Sequence, residues 1–218
     1  LKKCILKHKI LMQLNKFELD KDTLIGGWFM PESVIDDINE YWNSPDAQQY
    51  KDSGQSGNSV ESDSDSYGVN LSTKESIDIS IRPEDDSNPW SEYRKHLQGC
   101  LNNYLKLFPA ANNVKTFNIR EIYNLQWYPK GGGYKKWHSE ITGDSWNIHR
   151  HLVFMTYCGD VPDAGTHFKY QNITVPCKKG LTLIWPSAWT HTHKGQISND
   201  HEKMIVTGWY NFNEIYDK

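Results

Sequence analysis

His138 and Glu140 lie two residues apart at the end of the stretch Tyr128-Pro-Lys-Gly-Gly-Gly-Tyr-Lys-Lys-Trp-His138-Ser-Glu140. On an extended strand, both side chains project from one face. An imidazole nitrogen and a carboxylate oxygen form a borderline-hard ligand pair. A third ligand would complete the two-His-one-carboxylate face that holds non-haem Fe(II) and leaves coordination positions open. Trp189-Thr-His191-Thr-His193-Lys-Gly195 offers that ligand, with His191 and His193 on one face. His-x-acid alone is weak in a chain with nine His and 27 acidic residues, so spacing must carry the argument.

Lys203 supplies the spacing, ten residues beyond His193. It opens the run Lys203-Met-Ile-Val-Thr-Gly-Trp-Tyr-Asn-Phe212. Rich in β-branched and aromatic residues, this run reads as a strand with Lys203, Ile205, Thr207 and Trp209 on a shared face. A lysine that faces a barrel interior is costly unless an anion meets it, and a bound dicarboxylic acid would be such an anion.

Taken in order, these pieces resemble the prolyl 4-hydroxylase branch of the 2-oxoglutarate- and Fe(II)-dependent oxygenases. The matching parts are Tyr128 and Gly131 ahead of His138 and Glu140, then Arg150 leading to Tyr157, Gly165-Thr-His-Phe168, Val175 to Trp185, and finally His193 with Lys203. The Trp-Thr-His-Thr-His-Lys-Gly and Thr-Gly-Trp segments are similar to short single-domain viral and bacterial members. The resemblance implies that His138, Glu140 and His193 ligate iron and are the catalytic centre. His193 is preferred over His191 for its ten-residue offset from Lys203. Lys203 would bind the far carboxylate of 2-oxoglutarate, and Tyr128 and Tyr157 would hydrogen-bond this co-substrate, with Thr207 nearby. Arg150, Trp209 and Trp146 would contact the substrate, although Arg150 could instead pair with an acid at the barrel rim and aromatic core is the plainer reading of both tryptophans. Glu140 departs from the Asp usual in the family and is one methylene longer.

The implied reaction consumes O2 and 2-oxoglutarate, releases succinate and CO2, and hydroxylates a prolyl residue in a peptide or protein, with ascorbate as a candidate helper. The partner would be a proline-containing peptide or protein, and the enzyme a monomer or weak dimer in the cytoplasm, of the host cell if viral. One alternative keeps the chemistry on another amino-acid side chain or a small molecule. Another is a non-catalytic jelly-roll module holding a structural metal.

Composition bounds these readings. At 218 residues the default is a single domain, with 1–118 as N-terminal support carrying a flexible loop at 51–66, and 119–213 as a jelly-roll catalytic core. Nine Trp and 12 Tyr suit a β-rich barrel with a lined cavity. A net charge of −3 argues against a nucleic-acid platform. No apolar run is long enough to span a membrane, and the basic start lacks the pattern of a signal peptide. Cys4, Cys100, Cys158 and Cys177 have no metal-type spacing and read as free thiols in a reducing compartment.

The elements that must position the site follow from periodicity. Residues 1–20 suggest a first strand and turn. Phe29–Trp42 reads as an amphipathic helix with Pro31 in its first turn. Residues 51–66, rich in Ser, Asp and Gly, read as a lid over the substrate cleft. Glu75–Ile81 alternates as a half-buried strand. Pro89-Trp90 opens a second helix that Pro109 ends. From Arg120 onward strands recur at the short intervals of a sandwich or barrel. The expected fold is mainly β with flanking helices (α+β) around a double-stranded β-helix, or jelly roll. His8, His96 and His201 read as solvated, and His149, His151 and His167 as surface groups or neighbours of the site.

Overall fold

A computed structural model describes residues 14–56 and 68–213. Most of the 51–66 loop, residues 1–13 of the expected first strand, Cys4 and His8 lie outside the described residues.

The N-terminal half contributes β1 (Asn15–Phe17), β2 (Gly26–Phe29), β3 (Asp52–Ser53), β4 (Lys74–Glu75), β5 (Ile77–Ile81) and β6 (Phe117–Asn118), with helices α1 (Glu32–Asn43), α2 (Pro45–Gln48) and α3 (Trp90–Leu107) between them. The C-terminal half is almost all strand: β7 (Tyr123–Tyr128), β8 (Gly133–Tyr134), β9 (Arg150–Tyr157), β10 (Val161–Phe168), β11 (Ile173–Cys177), β12 (Leu181–Pro186), β13 (His193–Gly195) and β14 (Lys203–Phe212). The large antiparallel sheet runs β1-β2-β12-β9-β14-β7-β5-β3, with β6 attached to β14. Against it stands a smaller sheet, β11-β10-β13, and β4 pairs with β8. This is a jelly roll flanked by helices, as expected.

Period-two alternation sends each central strand into two different cores. On β9, Leu152 and Phe154 face the helices, and on β14 Val206 and Tyr210 do the same. There they meet Ile35 and Ile38 of α1 and Tyr93, Leu97 and Tyr104 of α3. Val153, Met155 and Tyr157 of β9, Leu183 and Trp185 of β12, and Ile205 of β14 point into the space between the sheets. Burying each such side chain is worth roughly 1.5–3 kcal/mol, and losing either face would leave the shared strands half exposed. Gly208 is required within β14, because a Cβ there would lie 2.5 Å from both Phe154 and Tyr123.

Two sequence expectations of local structure need correction. His96 is buried on α3, with Nε2 3.0 Å from Glu92 Oε1; a helix faces the core on a broader stripe than the apolar residues alone reveal. The ligand-bearing segment 137–141 is not a strand, and only His138 makes a bridge there. Cys100, Cys158 and Cys177 are free and buried. Burial pushes the Cys100 thiol up to about 12 and the Cys177 thiol up to about 11. No helix among the described residues is long and apolar enough to cross a membrane.

Candidate metal and diacid site

Backbone pairing brings the two imidazoles together. His193 begins β13, where it pairs with Phe168 of β10 on one side. On its other side it exchanges two backbone hydrogen bonds with His138, the N–O distances being 2.9 and 3.0 Å. Directly opposed residues send their side chains to the same face. Glu140, two residues on, is pinned by its own N–H to Ser187 O at 3.2 Å. The ligand-type atoms of His138, Glu140 and His193 lie within 4.8 Å of one another. Among the described residues this is the group of His, Cys, Asp and Glu able to hold a metal ion.

Each member is oriented from behind. His138 Nδ1 faces Lys136 O at 3.2 Å and His193 Nδ1 faces His191 O at 2.9 Å. A carbonyl can only accept, so both Nδ1 atoms carry the proton and both Nε2 lone pairs are left for a metal. Those Nε2 atoms sit 3.5 and 3.3 Å from Glu140 Oε1. The other carboxylate oxygen, Oε2, accepts from Trp209 Nε1 at 2.9 Å and from Arg150 Nη1 at 3.4 Å. Burial, and then the neighbouring His193, push the His138 pKa down, which favours the neutral imidazole that a metal would need. Burial alone would raise the Glu140 pKa, but the neighbouring His138 and His193 hold it well below the usual range. This donor set suits a divalent non-haem iron.

His191 does not join them. It is buried, and its Nε2 lies 3.0 Å from Thr23 O. The turn Trp189–His191 rotates it away from His193, so the shared face expected on a strand is lost.

The trio lines one wall of a cavity of about 400 Å³ that also contains Tyr128, Asn124, Gln126, Thr166, Thr207 and Lys203. Lys203 is 7% exposed. Its Nζ donates to Ala164 O at 3.0 Å and lies 5.2 Å from the Tyr128 ring centroid. No carboxylate among the described residues lies within ion-pair reach of it. Desolvation alone drives its pKa down to about 8. Lys74, the other buried lysine of the cavity, is by contrast paired with Asp78 at 2.5 Å.

The remaining expected contacts divide. Thr207 lines the cavity, and its Oγ1 donates to Phe154 O at 3.2 Å. Tyr128 also lines it, but its hydroxyl donates to Gln126 Oε1 at 2.5 Å, and Gln126 in turn donates to Asp78. Tyr157 is not among the lining residues. Its hydroxyl lies 2.7 Å from Thr166 Oγ1, so Thr166 presents to the cavity where Tyr157 was expected. Arg150 and Trp209 both line the cavity, as substrate-contact residues would, but their polar groups already have partners. Arg150 is buried, its guanidinium carbon 3.4 Å from the Trp209 ring and 4.8 Å from the Trp146 ring, and it forms an ion pair with Glu121 at 2.7 Å. Both Arg150 and Trp209 are engaged with Glu140, while Trp146 stays half exposed at the rim. Sequence reasoning misses Glu121 because its partners are 29 and 90 positions away, beyond any local period.

No family model and no curated protein sequence matches the chain. Solved structures do, and they share its fold. A Pseudomonas putida prolyl-4-hydroxylase aligns over 87% of this chain and 93% of its own, with a TM-score of 0.60 and 14% identity. A prolyl hydroxylase from Trichoplax adhaerens, solved with a hypoxia inducible factor oxygen degradation domain peptide fragment, aligns over 88% and 84%, with a TM-score of 0.62 and 13% identity. The viral collagen prolyl hydroxylase of Paramecium Bursaria Chlorella virus-1, solved as a 2OG complex, aligns over 65% and 81%, with a TM-score of 0.52 and 17% identity. The fold is therefore that of the prolyl 4-hydroxylase-like 2-oxoglutarate-dependent oxygenases.

Proposed function

We propose that the protein is an Fe(II)- and 2-oxoglutarate-dependent dioxygenase that hydroxylates a prolyl residue in a peptide or protein. One observation carries this reading. A buried ammonium with no carboxylate in ion-pair reach among the described residues shares a cavity with two imidazoles and a carboxylate. A diacid that also chelates a metal would satisfy both ends at once.

When bound, iron supplies the O2 chemistry that couples decarboxylation of 2-oxoglutarate, to succinate and CO2, with insertion of one oxygen atom into a substrate C–H bond. The chain's own work is positional. His138, Glu140 and His193 would hold the metal, a donor set of the kind that leaves room for other ligands. Lys203 anchors the far carboxylate through a charge-assisted contact strengthened by its dry surroundings. Thr166, Thr207 and Tyr128 wall the diacid in laterally by contact. The β7–β5 floor, with Asn124 and Gln126, presents amide groups to a polypeptide laid across it. Holding substrate and co-substrate in register is the largest contribution available to the protein. Proline as the target rests on likeness of fold to proteins named prolyl hydroxylases.

The test is succinate formation from 2-oxoglutarate with Fe(II), O2 and ascorbate, and a mass gain of one oxygen atom on proline-containing peptides. Succinate with a different hydroxylated residue would retain the oxygenase and move the substrate to another side chain or a small molecule. No succinate with any peptide or small-molecule panel, from protein that binds Fe(II), would leave a non-catalytic metal module.

A further inference from the structure

Glu140 poses a geometric problem. Its side chain has one more rotatable bond than Asp, and beside it sits Arg150, a guanidinium able to take a carboxylate bidentately. A full Arg150–Glu140 fork would draw both oxygens away from the histidines. Glu121 occupies the fork instead. Arg150 Nε donates to Glu121 Oε1 at 2.9 Å and Nη2 to Glu121 Oε2 at 2.7 Å. Asn211 Nδ2 holds Glu121 Oε1 at 2.9 Å. Only Nη1 remains for Glu140, reaching its backbone oxygen at 3.2 Å and Oε2 at 3.4 Å. The Trp209 ring, 3.4 Å from the guanidinium carbon, blocks reorientation of the plane.

We infer that Glu121 is a positioning residue for the metal centre. It holds Arg150 in a fork of its own, so that Arg150 steadies Glu140 Oε2 without withdrawing Oε1 from the ion. The inference rests on the metal-binding role proposed above for His138, Glu140 and His193. Among the described residues, Glu121 and Glu140 are the carboxylates in reach of Arg150. Removing the Glu121 charge therefore leaves a guanidinium only 5% exposed with a single acid to turn to. A buried cation does not stay unpaired when a carboxylate is in reach.

The experiment is a Mn(II) titration of the full chain, read by calorimetry, together with the Co(II) visible band, which reports carboxylate ligation. Glu121→Gln is expected to weaken Mn(II) binding about 10- to 100-fold, the usual cost of losing an outer partner of a metal site, and to shift the Co(II) band. Glu121→Asp keeps the charge and should stay within a few-fold of wild type. In an Arg150→Met background the Glu121→Gln effect should vanish, because the competitor is gone. Equal Mn(II) affinity in wild type and Glu121→Gln overturns the inference. So does a loss of the same size in both backgrounds, which would mean Glu121 only supports the fold. If Glu121→Gln does not fold, Glu121→Asp decides, measured once with Arg150 intact and once together with Arg150→Met. A few-fold loss in Glu121→Asp, whose shorter side chain cannot fill the fork, supports the inference if it disappears with the guanidinium; a loss that survives its removal, or no loss with Arg150 intact, overturns it. Failure of the wild-type chain to bind Mn(II) would remove the proposed metal site and this inference together, whereas wild-type binding that Glu121 does not affect removes the inference alone.

Discussion

At one end of the cavity, His138, Glu140 and His193 are each fixed from behind, with Glu140 Oε1 beside both imidazole Nε2 atoms and Oε2 held by Trp209 and Arg150. At the other end, Lys203 has backbone carbonyls and an aromatic ring for company, and no acid among the described residues. The metal end is thus preorganised, since the carbonyls behind both imidazoles and the Trp209 and Arg150 donors behind Glu140 turn three ligand atoms toward one point before any ion arrives. The diacid end carries an unbalanced charge whose burial opposes folding. A cavity meant only to be stable would not keep Lys203 in it. Lys74, buried nearby and paired with Asp78, marks what a structural lysine looks like in this molecule.

That contrast can be broken by substitution. The largest effect is expected at the metal end. His193→Ala should reduce Fe(II) binding and succinate formation to background, whereas His191→Ala should retain both, at some cost in stability from its lost bond to Thr23. Comparable loss in both variants, measured on folded protein, would undo the assignment of His193.

At the other end, Lys203→Met should weaken 2-oxoglutarate binding about 10- to 100-fold, the worth of a hydrogen bond to a charged group, while Fe(II) affinity holds. The same change should make the unliganded protein more stable at neutral pH. The folded pKa of Lys203, about 8, lies below the unfolded value of 10.5. The unfolded chain therefore binds the proton more tightly. Below pH 8 the buried ammonium costs on the order of 3 kcal/mol, a penalty that fades as pH rises from about 8 to 10.5. A melting temperature several degrees higher for Lys203→Met at pH 7 would match, and a lower one would mean the ammonium is paired.

A smaller effect concerns pH. Affinity for 2-oxoglutarate should be flat below about pH 8 and fall up to tenfold per unit above it, as Lys203 loses the charge that meets the carboxylate. Lys203→Arg keeps its charge and should lose this dependence. The smallest effect is at Tyr157. Its hydroxyl is engaged with Thr166, so Tyr157→Phe should change co-substrate affinity less than about threefold, while Thr166→Val, which alters the cavity wall itself, should change it more.

Much of the fold is legible locally. Alternation marks β5, β-branched and aromatic content marks β14, the apolar stripes mark α1 and α3, and Pro109 marks the end of α3, because side-chain period and backbone chemistry act over a few residues. The helix positions of Trp90, Tyr93 and Tyr104 give their burial correctly. The burial of His96 is not legible, because a polar residue on a buried stripe carries no local signal. Tyr157 lies on the inward face as its parity demands, yet its hydroxyl stops at Thr166, a residue of the neighbouring sheet that no strand period can foresee.

Residue types and spacing by themselves determined a jelly-roll scaffold, a set of metal-capable side chains and a lysine at the start of the last strand. Only the tertiary structure decided which histidine joins Glu140, that Arg150 and Trp209 brace that carboxylate, and that Glu121 occupies the arginine fork. The reason is the range of the forces involved. Strand and helix patterns are set by neighbours within a turn or two of chain. The partners of a buried charge are chosen by what the folded sheets leave within about 3 Å of it.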